Sequence, residues 1–421
     1  MIGSGGREHA ICWKLRQSSH TSELHCAPGN AGIAEIATCH AITVNDPTAL
    51  VHLATGVGAD LTIIGPEAPL VEGVSDSFQV RGLRIVGPSR AAARLEGSKI
   101  FAKQFMMRHS IPTARFTIAD SPTAALKALA GYVFPVVVKA NGLAAGKGVR
   151  IVKDKREFEA AVTDLMVDRI FGEAGSAVVI EECLYGREAS LMIITDGRDY
   201  QVLAPAQDYK RLNDGDVGPN TGGMGSFSTP GLVDDALMGR ITREIIEPTL
   251  AGMAEEGNPF RGVLYAGLMI SNGAPSVIEY NARLGDPETQ AMLARLDHDL
   301  VEMFEATLSG SLALAPIKWS SDSSVCVVAS SSGYPGEFSK GRRISGIDEA
   351  DAIEGVFVFH AGTARDEDGG IVTAGGRVLG VTARASRIEE ARSRAYKAMN
   401  LVSFEGIHYR HDIADLARTG R

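Results

Sequence analysis

Four times in its first hundred residues the chain runs through a short β-prone segment into a Gly- or Pro-bearing turn and then a helical stretch. Ile2 enters GSGGREHA. LHCA (24–27) enters PGNAG, DLTII (60–64) enters GPEAPL, and residues 83–86 enter GPSRAA. Such βαβ alternation builds a parallel, doubly wound sheet. Ligands of these sheets bind beyond the carboxyl ends of the strands, where all four turns lie. The first strand stops short at Met1 and Ile2, whereas a strand usually has about five residues. The reading therefore expects either further residues upstream or a sheet with a clipped central strand.

In the first turn, backbone amides of Gly3, Ser4, Gly5 and Gly6 open a helix and could hold a phosphate there. The dinucleotide fingerprint does not fit, because its third glycine would fall on Glu8. A chain of 421 residues exceeds one ordinary core, so two to four domains are expected. The net charge of −9 argues against a nucleic-acid partner, which needs a basic surface. Five cysteines without a Cys-x-x-Cys pair argue against a disulfide framework or structural zinc, and fit a reducing cytoplasm. No apolar run approaches about 18 residues, so no membrane span is expected.

The middle of the chain holds a second pattern. The strand PVVVK (135–139) leads into ANGLAAGKG and then a strand at 149–152. This reads as a hairpin with a glycine tip that can lie against phosphates, with Lys139 and Lys147 supplying charge. It lacks Walker A spacing. VVIEECL (178–184) is an apolar strand ending in acids. The backbone leaving it suits an adenine ring, and a carboxylate four residues on, Glu188, suits ribose hydroxyls. After a turn, QDYKR (207–211) precedes GPNTGGMG (218–225), a run too rich in glycine to be a regular element. It permits close approach to a small substrate, with Asp208 able to hold an ammonium group. Residues 241–253 read as an amphipathic helix kinked at Pro248. The strand at 263–270 should pair with 277–280 through Asn272-Gly273.

That last strand, in SVIEYNARLGDPETQ (276–290), delivers an unusual load of charge. Glu279 and Asn281 are two residues apart, hence on one face of a strand, and offer the hard oxygen ligands that Mg²⁺ prefers. Arg283, Asp286 and Glu288 follow at once. Residues beyond 316 alternate strands and turns before a helix at 388–401. They form a small α+β unit in which His360 and Arg377 could face the substrate cleft but read first as structural.

VVVKANGLAAGKGV, VVIEECLYGREAS and VIEYNARLGDPETQ, in this order and spacing, resemble the ATP-grasp ligases. With GSGGREHA, PGNAG, GPEAPL, LEGSK and GPNTGGMG, the chain is similar over essentially its whole length to the glycinamide ribonucleotide synthetases within that superfamily. The resemblance implies an α/β and α+β multidomain fold. Residues 1–98 would be the α/β domain that binds phosphoribosylamine. Residues 99–315 would be the ATP-grasp domain, with a lid at about 120–188, and residues 316–421 a C-terminal domain. It also implies ATP-dependent joining of glycine to 5-phosphoribosylamine through glycyl phosphate, with Mg²⁺ or Mn²⁺, by a cytoplasmic monomer.

Residue by residue, the resemblance assigns metal to Glu279 and Asn281, and phosphate charge to Lys99, Lys139 and Lys147. It gives adenine to Glu181, Glu182 and Leu184 and ribose to Glu188. The reacting groups fall to Arg283, Asp286 and Lys147. The sugar phosphate would lie on Gly3, Gly5, Gly6, Asn30 and Glu67, and the second substrate cradle on Asp208, Lys210 and Gly222. Many ATP-grasp enzymes also carry a metal carboxylate on the preceding strand, but LYAGLM (264–269) offers none. The metal must then rest on one strand, phosphates and water. The competing readings are an ATP-grasp ligase for another acid or amine, a nucleotide-binding module without turnover, and a dehydrogenase.

Overall fold

The computed structural model describes residues 1–144, 148–314 and 316–415. The N-terminal strands β1 (Ile2–Gly3), β2 (His25–Pro28), β3 (Thr38–Cys39), β4 (Thr62–Ile63) and β5 (Ile85–Val86) are all parallel. β1 lies between β2 and a bridge from Ile2 to Ile64, so the order is β3-β2-β1-β4-β5. The winding reverses between β1 and β4. The loops that follow these two strands, Gly3 to Gly5 and Gly65 to Glu67, therefore flank the crevice expected at such a switch point.

Two sheets follow. The first is antiparallel, in the order β6-β9-β7-β8, from β6 (Phe116–Ala119), β7 (Val136–Ala140), β8 (Val149–Val152) and β9 (Val178–Glu182). It packs on the helix Lys155–Val162 around a core of its own that includes Val136, Val138, Phe158 and Ile180. The second contains β10 (Arg187–Thr195), β11 (Tyr200–Val202), β16 (Gly262–Ser271) and β17 (Ala274–Asn281), in the order β11-β10-β16-β17. Asn272 and Gly273 join β16 to β17 with φ of 51° and 73°, the left-handed pair that a tight hairpin turn requires.

The β16–β17 register shifts once. Gly267 faces Glu279 but Leu268 faces Val277, so Ile278 is an extra, bulged residue. The Ile278 carbonyl instead accepts from Lys139 Nζ at 3.0 Å. The helix expected at 241–253 is present in three parts: Asp235–Ile241, a π-helical turn Thr242–Ile246, and Glu247–Glu255. Pro248 cannot donate to the turn before it, and the widened turn absorbs that loss.

The glycine-rich run is more regular than its composition predicts. Gly218, Pro219 and Asn220 belong to β14 (Val217–Asn220), which pairs with β13 (Arg211–Asn213), and β15 (Gly225–Ser228) starts at the last glycine. Only residues 221–224 remain irregular. β15 and β12 (Gln207–Asp208) form the edge of the C-terminal sheet, β12-β15-β18-β22-β19, with β18 (Ser323–Ser330), β19 (Val356–His360) and β22 (Arg377–Ala385). A hairpin of β20 (Thr363–Arg365) and β21 (Ile371–Thr373) lies beside it. The helix Ile388–Met399 covers one face through Ala391, Ala395 and Ala398. The C-terminal unit thus shares a hydrogen-bonded sheet with the middle of the chain. Among the described residues no helix is long and apolar enough to cross a membrane.

The C-terminal unit also grips the N-terminal helix Gly6–Leu15. Trp13 packs on Phe357 at 4.7 Å between ring centroids, and the His360 amide donates to His9 Nδ1 at 2.8 Å. Burial pulls His9 down to about 3, with His360 adding to it, and burial pulls His360 down to about 4. The unfolded chain, with ordinary histidines near 6.5, then binds more protons than the folded one. Stability from this contact is present above about pH 6.5 and is lost as pH falls toward about 4, by up to about 1.4 kcal/mol per pH unit for each histidine. His9→Asn keeps an acceptor near the Nδ1 position without titrating. Its thermal midpoint is expected to fall less than that of the unmodified chain between pH 7 and pH 5, and an equal fall would refute this account.

Candidate active site

The sheets and the C-terminal unit enclose one cavity of about 1040 Å³. That is at the top of the size range of single-ligand pockets, so it has room for more than one small molecule. Its floor is the end of β17. Beyond the bulge the strand alternates again, and Glu279 and Asn281 both face the cavity. Burial alone would push the Glu279 carboxyl up, but Lys210, Lys139 and Lys99 outweigh it and hold it below the usual carboxylate range. Asn281 Oδ1 is oriented by Arg283 Nη2 at 3.1 Å. A carboxylate kept ionised beside an oriented amide oxygen is a hard-donor pair that fits Mg²⁺ or Mn²⁺, with the other positions left to phosphate and water. β16 adds no acid to the cavity wall.

A ladder of buried charge rises from this floor. Ser98 caps the helix Lys99–Arg108, its Oγ accepting from the Phe101 amide at 3.1 Å, which puts Lys99 in the first turn. Lys99 Nζ donates to the Gly142 carbonyl at 2.9 Å, and burial pulls it below the usual lysine range despite Glu279. Lys139, 4% exposed, and Lys103, 2% exposed, both lie 3.0 Å from Glu181. Burial brings Lys103 down to about 8 against the pull of Glu181. The Glu181 carboxylate is therefore committed to two lysines, and only its backbone is left for an adenine. Val137, Leu184, Met269 and Ile278 make that end of the cavity apolar. Glu182 also lines the cavity, but its carboxylate turns back to the Arg115 amide at 2.8 Å. Lys147 lies outside the described residues.

Arg283 is held at its guanidinium by Glu96 at 3.0 Å and at its Nε by Glu67 at 3.3 Å. Burial opposes its charge, but Glu96 and Glu67 more than restore it. Asp286, set one turn on, meets Arg377 Nη2 at 3.0 Å and takes a hydrogen bond from Gln290 at 2.8 Å. Arg377 holds the Asp286 carboxyl below the usual carboxylate range against burial. Arg377 Nη1 also donates to the carbonyls of Gly222 (2.5 Å) and Asp286 (2.8 Å), and the Gly222 amide donates to Tyr334 Oη at 2.9 Å. Arg377, for which the sequence left both a structural and a cleft-facing role open, is thus a wall residue that fixes two loops. No pattern local to residues 316–421 signals this, because its partners lie 91 and 155 residues away.

The switch-point crevice departs from the sequence reading in two ways. The Gly5 amide donates to Glu8 Oε2 at 2.5 Å, so it is not open to a phosphate. The glycines instead make room for this acid. A Cβ on Gly3 would approach Glu8 to 2.5 Å, and one on Gly65 to 2.0 Å. Gly3 and Gly5 line the cavity, whereas Gly6 faces Gln290 and Ala361. The Asn30 side chain is fully used elsewhere. Its Nδ2 donates to the Ser4 and His360 carbonyls, both at 2.8 Å, and its Oδ1 accepts from the amides of Gly32 and Ile33. Asn30 therefore clamps the N-terminal loop to β19 and has no capacity left for a ligand.

Opposite the floor, Lys210 Nζ stands 3.6 Å from Glu279, 3.7 Å from Glu188 and 4.0 Å from Asp208. Burial pushes the Asp208 carboxyl up to about 8, even with Lys210 beside it. Asp208 is thus an acid short of positive charge, and Lys210 serves three carboxylates at once. The residues read from sequence in this half converge. Glu96, Lys103 and Tyr265, also on the wall, were not singled out for the site. The Glu181→Gln substitution should strand Lys103 and Lys139 without a carboxylate, lowering the urea midpoint by the equivalent of about 3–5 kcal/mol. A midpoint unchanged from the parent chain would show that these lysines are otherwise compensated.

Three family models tile the chain. The phosphoribosylglycinamide synthetase N domain matches residues 1–96, its ATP-grasp (A) domain residues 97–289 and its C domain residues 324–416. A phosphoribosylamine–glycine ligase of Caldanaerobacter subterraneus subsp. tengcongensis is 48% identical over 414 residues, covering 98% of each chain. The Pseudomonas aeruginosa enzyme of that name is 49% identical over 416 residues, covering 98% of this chain and 96% of its own. The crystal structure of phosphoribosylamine–glycine ligase from Thermotoga maritima superposes with a TM-score of 0.84 at 37% identity over 98% of both chains. A biotin carboxylase from Campylobacter jejuni matches in fold alone, with a TM-score of 0.74 at 16% identity, covering 97% of this chain and 92% of its own.

Proposed function

The chain belongs to the phosphoribosylglycinamide synthetase family, and on that premise we propose how its cavity carries out the family's reaction. The reaction is the ATP-dependent ligation of glycine to 5-phosphoribosylamine, the second step of purine biosynthesis, which yields glycinamide ribonucleotide, ADP and phosphate. It uses ATP with Mg²⁺ or Mn²⁺. In our reading a glycine carboxylate oxygen attacks the γ-phosphorus and ADP leaves, giving glycyl phosphate. The amine nitrogen of phosphoribosylamine then attacks the acyl carbon. Phosphate leaves, and the nitrogen loses a proton.

The demands are positioning and neutralisation of charge. Adenine lies in the slot of Val137, Leu184, Met269 and Ile278, with Glu188 toward the ribose. Lys99 and Lys139 neutralise phosphate, aided by Lys147. Glu279 and Asn281 would hold the divalent ion, whose charge would screen the γ-phosphate from the incoming carboxylate. Arg283, locked by Glu67 and Glu96, faces the transferred group without needing to reorganise. Asp286 and Glu67 offer acceptors to the sugar hydroxyls of phosphoribosylamine beside Gly3 and Gly5. Asp208, Lys210 and Gly222 close the far side. Glycyl phosphate hydrolyses readily, so the sheet of β6 to β9 acts as a lid that keeps water out. The functional parts are residues 1–98, 99–315 and 316–421, and we take the enzyme to work as a cytoplasmic monomer.

One observation carries this reading: Glu279 and Asn281, the cationic side chains of Lys99, Lys139 and Arg283, and an apolar slot share one cavity. Purified chain with ATP, Mg²⁺, glycine and freshly generated phosphoribosylamine should release ADP only when glycine is present. Release that ignores glycine contradicts the reading. Glu279→Ala should lower turnover by more than about a hundredfold and raise the Mg²⁺ or Mn²⁺ concentration needed. Turnover that survives this change would overturn the metal assignment.

A further inference from the structure

One acid on the cavity wall differs from the others. Every other carboxylate there, from Glu8 beside Arg7 to Asp412 beside Arg410, has a Lys or Arg within 4.0 Å. Glu288 has none among the described residues, although it is only 2% exposed. Burying a carboxylate without a cation is costly. The fold nevertheless holds this one in a fixed pose. Tyr265 Oη donates to Oε1 at 2.6 Å, Ser190 Oγ reaches the same oxygen at 3.2 Å, and the two hydroxyls are 2.8 Å apart. Both donors serve Oε1. Oε2 has no hydrogen-bond partner among the described residues. It lies over Gly285, where a Cβ would come within 2.6 Å of it, so the chain places no side chain there.

We infer that Glu288 Oε2 receives the ammonium group of glycine. The inference rests on the ligation reading above and adds the residue that selects its amino acid. A zwitterion needs a cation for its carboxylate and an anion for its ammonium at short range. Arg283 and Glu288 supply the two, five residues apart, one on the loop after β17 and the other opening the helix Glu288–Leu293, and the charge of Glu288 is felt at Arg283 and at Asp208. Asp208 is less suited, because Lys210 already stands beside it. The other amine in the reaction, that of phosphoribosylamine, attacks as a neutral base and leaves a buried carboxylate uncompensated. Glycine arrives charged and completes the pair. Tyr265 and Ser190 are positioning residues: they pin Oε1 so that Oε2 points at the ligand.

The test uses the full chain. The parent protein is assayed first, so that absence of glycine-dependent ADP release counts against the ligation reading and not against Glu288. Glu288→Gln is then expected to raise KM for glycine by at least about thirtyfold, the usual consequence of removing one partner of a buried charged contact, while KM for ATP changes less than about threefold. Glu288→Asp, which keeps the charge, should recover part of the loss. Tyr265→Phe should raise KM for glycine several-fold with the thermal midpoint nearly kept, and it decides the matter if Glu288→Gln does not fold. A glycine KM within about threefold of the parent in the variants overturns the inference. So does an equal rise for glycine and ATP, or a rise confined to phosphoribosylamine.

Discussion

The guanidinium of Arg283 is the point on which the rest of the site depends. It is buried between Glu67 and Glu96, which come from the N-terminal unit, while its own backbone continues β17. Glu96 also accepts the Ala282 amide at 2.7 Å, so one carboxylate grips both the strand and its arginine. Breaking a buried pair by removing one partner leaves an uncompensated charge, which is far worse than losing a surface bridge. The strand that carries Glu279 and Asn281 is therefore fixed against the switch-point crevice by electrostatics as well as by packing. The proposed metal pair, Glu279 and Asn281, and a crevice built about two hundred residues earlier are held in register by one side chain.

The same logic runs through the cavity. Most of its lysines and arginines already face acids: Lys103 and Lys139 share Glu181, Lys210 serves three carboxylates, and Arg377 holds Asp286. A site that must hold a polyphosphate, a divalent ion and two further charged substrates cannot leave its own charges loose, because each would have to be reoriented during reaction. Internal pairing orients them beforehand. Where burial outweighs that pairing the charge is penalised: Asp208 is pushed up to about 8 and Lys99 is pulled below the usual lysine range.

What could be read from the sequence was what has a period or a fixed local geometry. The βαβ alternation gave the parallel strands, Asn272-Gly273 gave the hairpin, and the two-residue spacing of Glu279 and Asn281 put both in one cavity. What could not be read depends on partners far along the chain. Asn30 looks like a ligand-facing loop residue until its four hydrogen bonds are counted, one of them 330 residues away. The N-terminal glycines look like a phosphate cradle until Glu8 is found folded into it. The bulge at Ile278 could not be foreseen either, since nothing in VIEYN distinguishes a bulged strand from a regular one. It nevertheless supplies the carbonyl that Lys139 needs.

The two halves of the cavity wall differ in what it would take to move them. β12 and β15 are paired into the C-terminal sheet, so displacing that unit would break a β ladder and open an apolar core that includes Phe227, Val325 and Val381. The sheet of β6 to β9 has a separate core. Its ties to the body are largely polar: Lys103 to Glu181, Lys139 to the Ile278 carbonyl, Lys99 to the Gly142 carbonyl, and Asn141 Oδ1 to Ser98 and the Ile100 amide. Polar contacts can be exchanged for water at small net cost, whereas an opened core cannot. Of the two walls, the sheet of β6 to β9 is therefore the one that can swing without opening a core. On the proposed reading, Lys99 and Lys139, which are among these ties, are also the phosphate cations, so nucleotide and closure would share them and occupancy of the cavity would be coupled to exclusion of water.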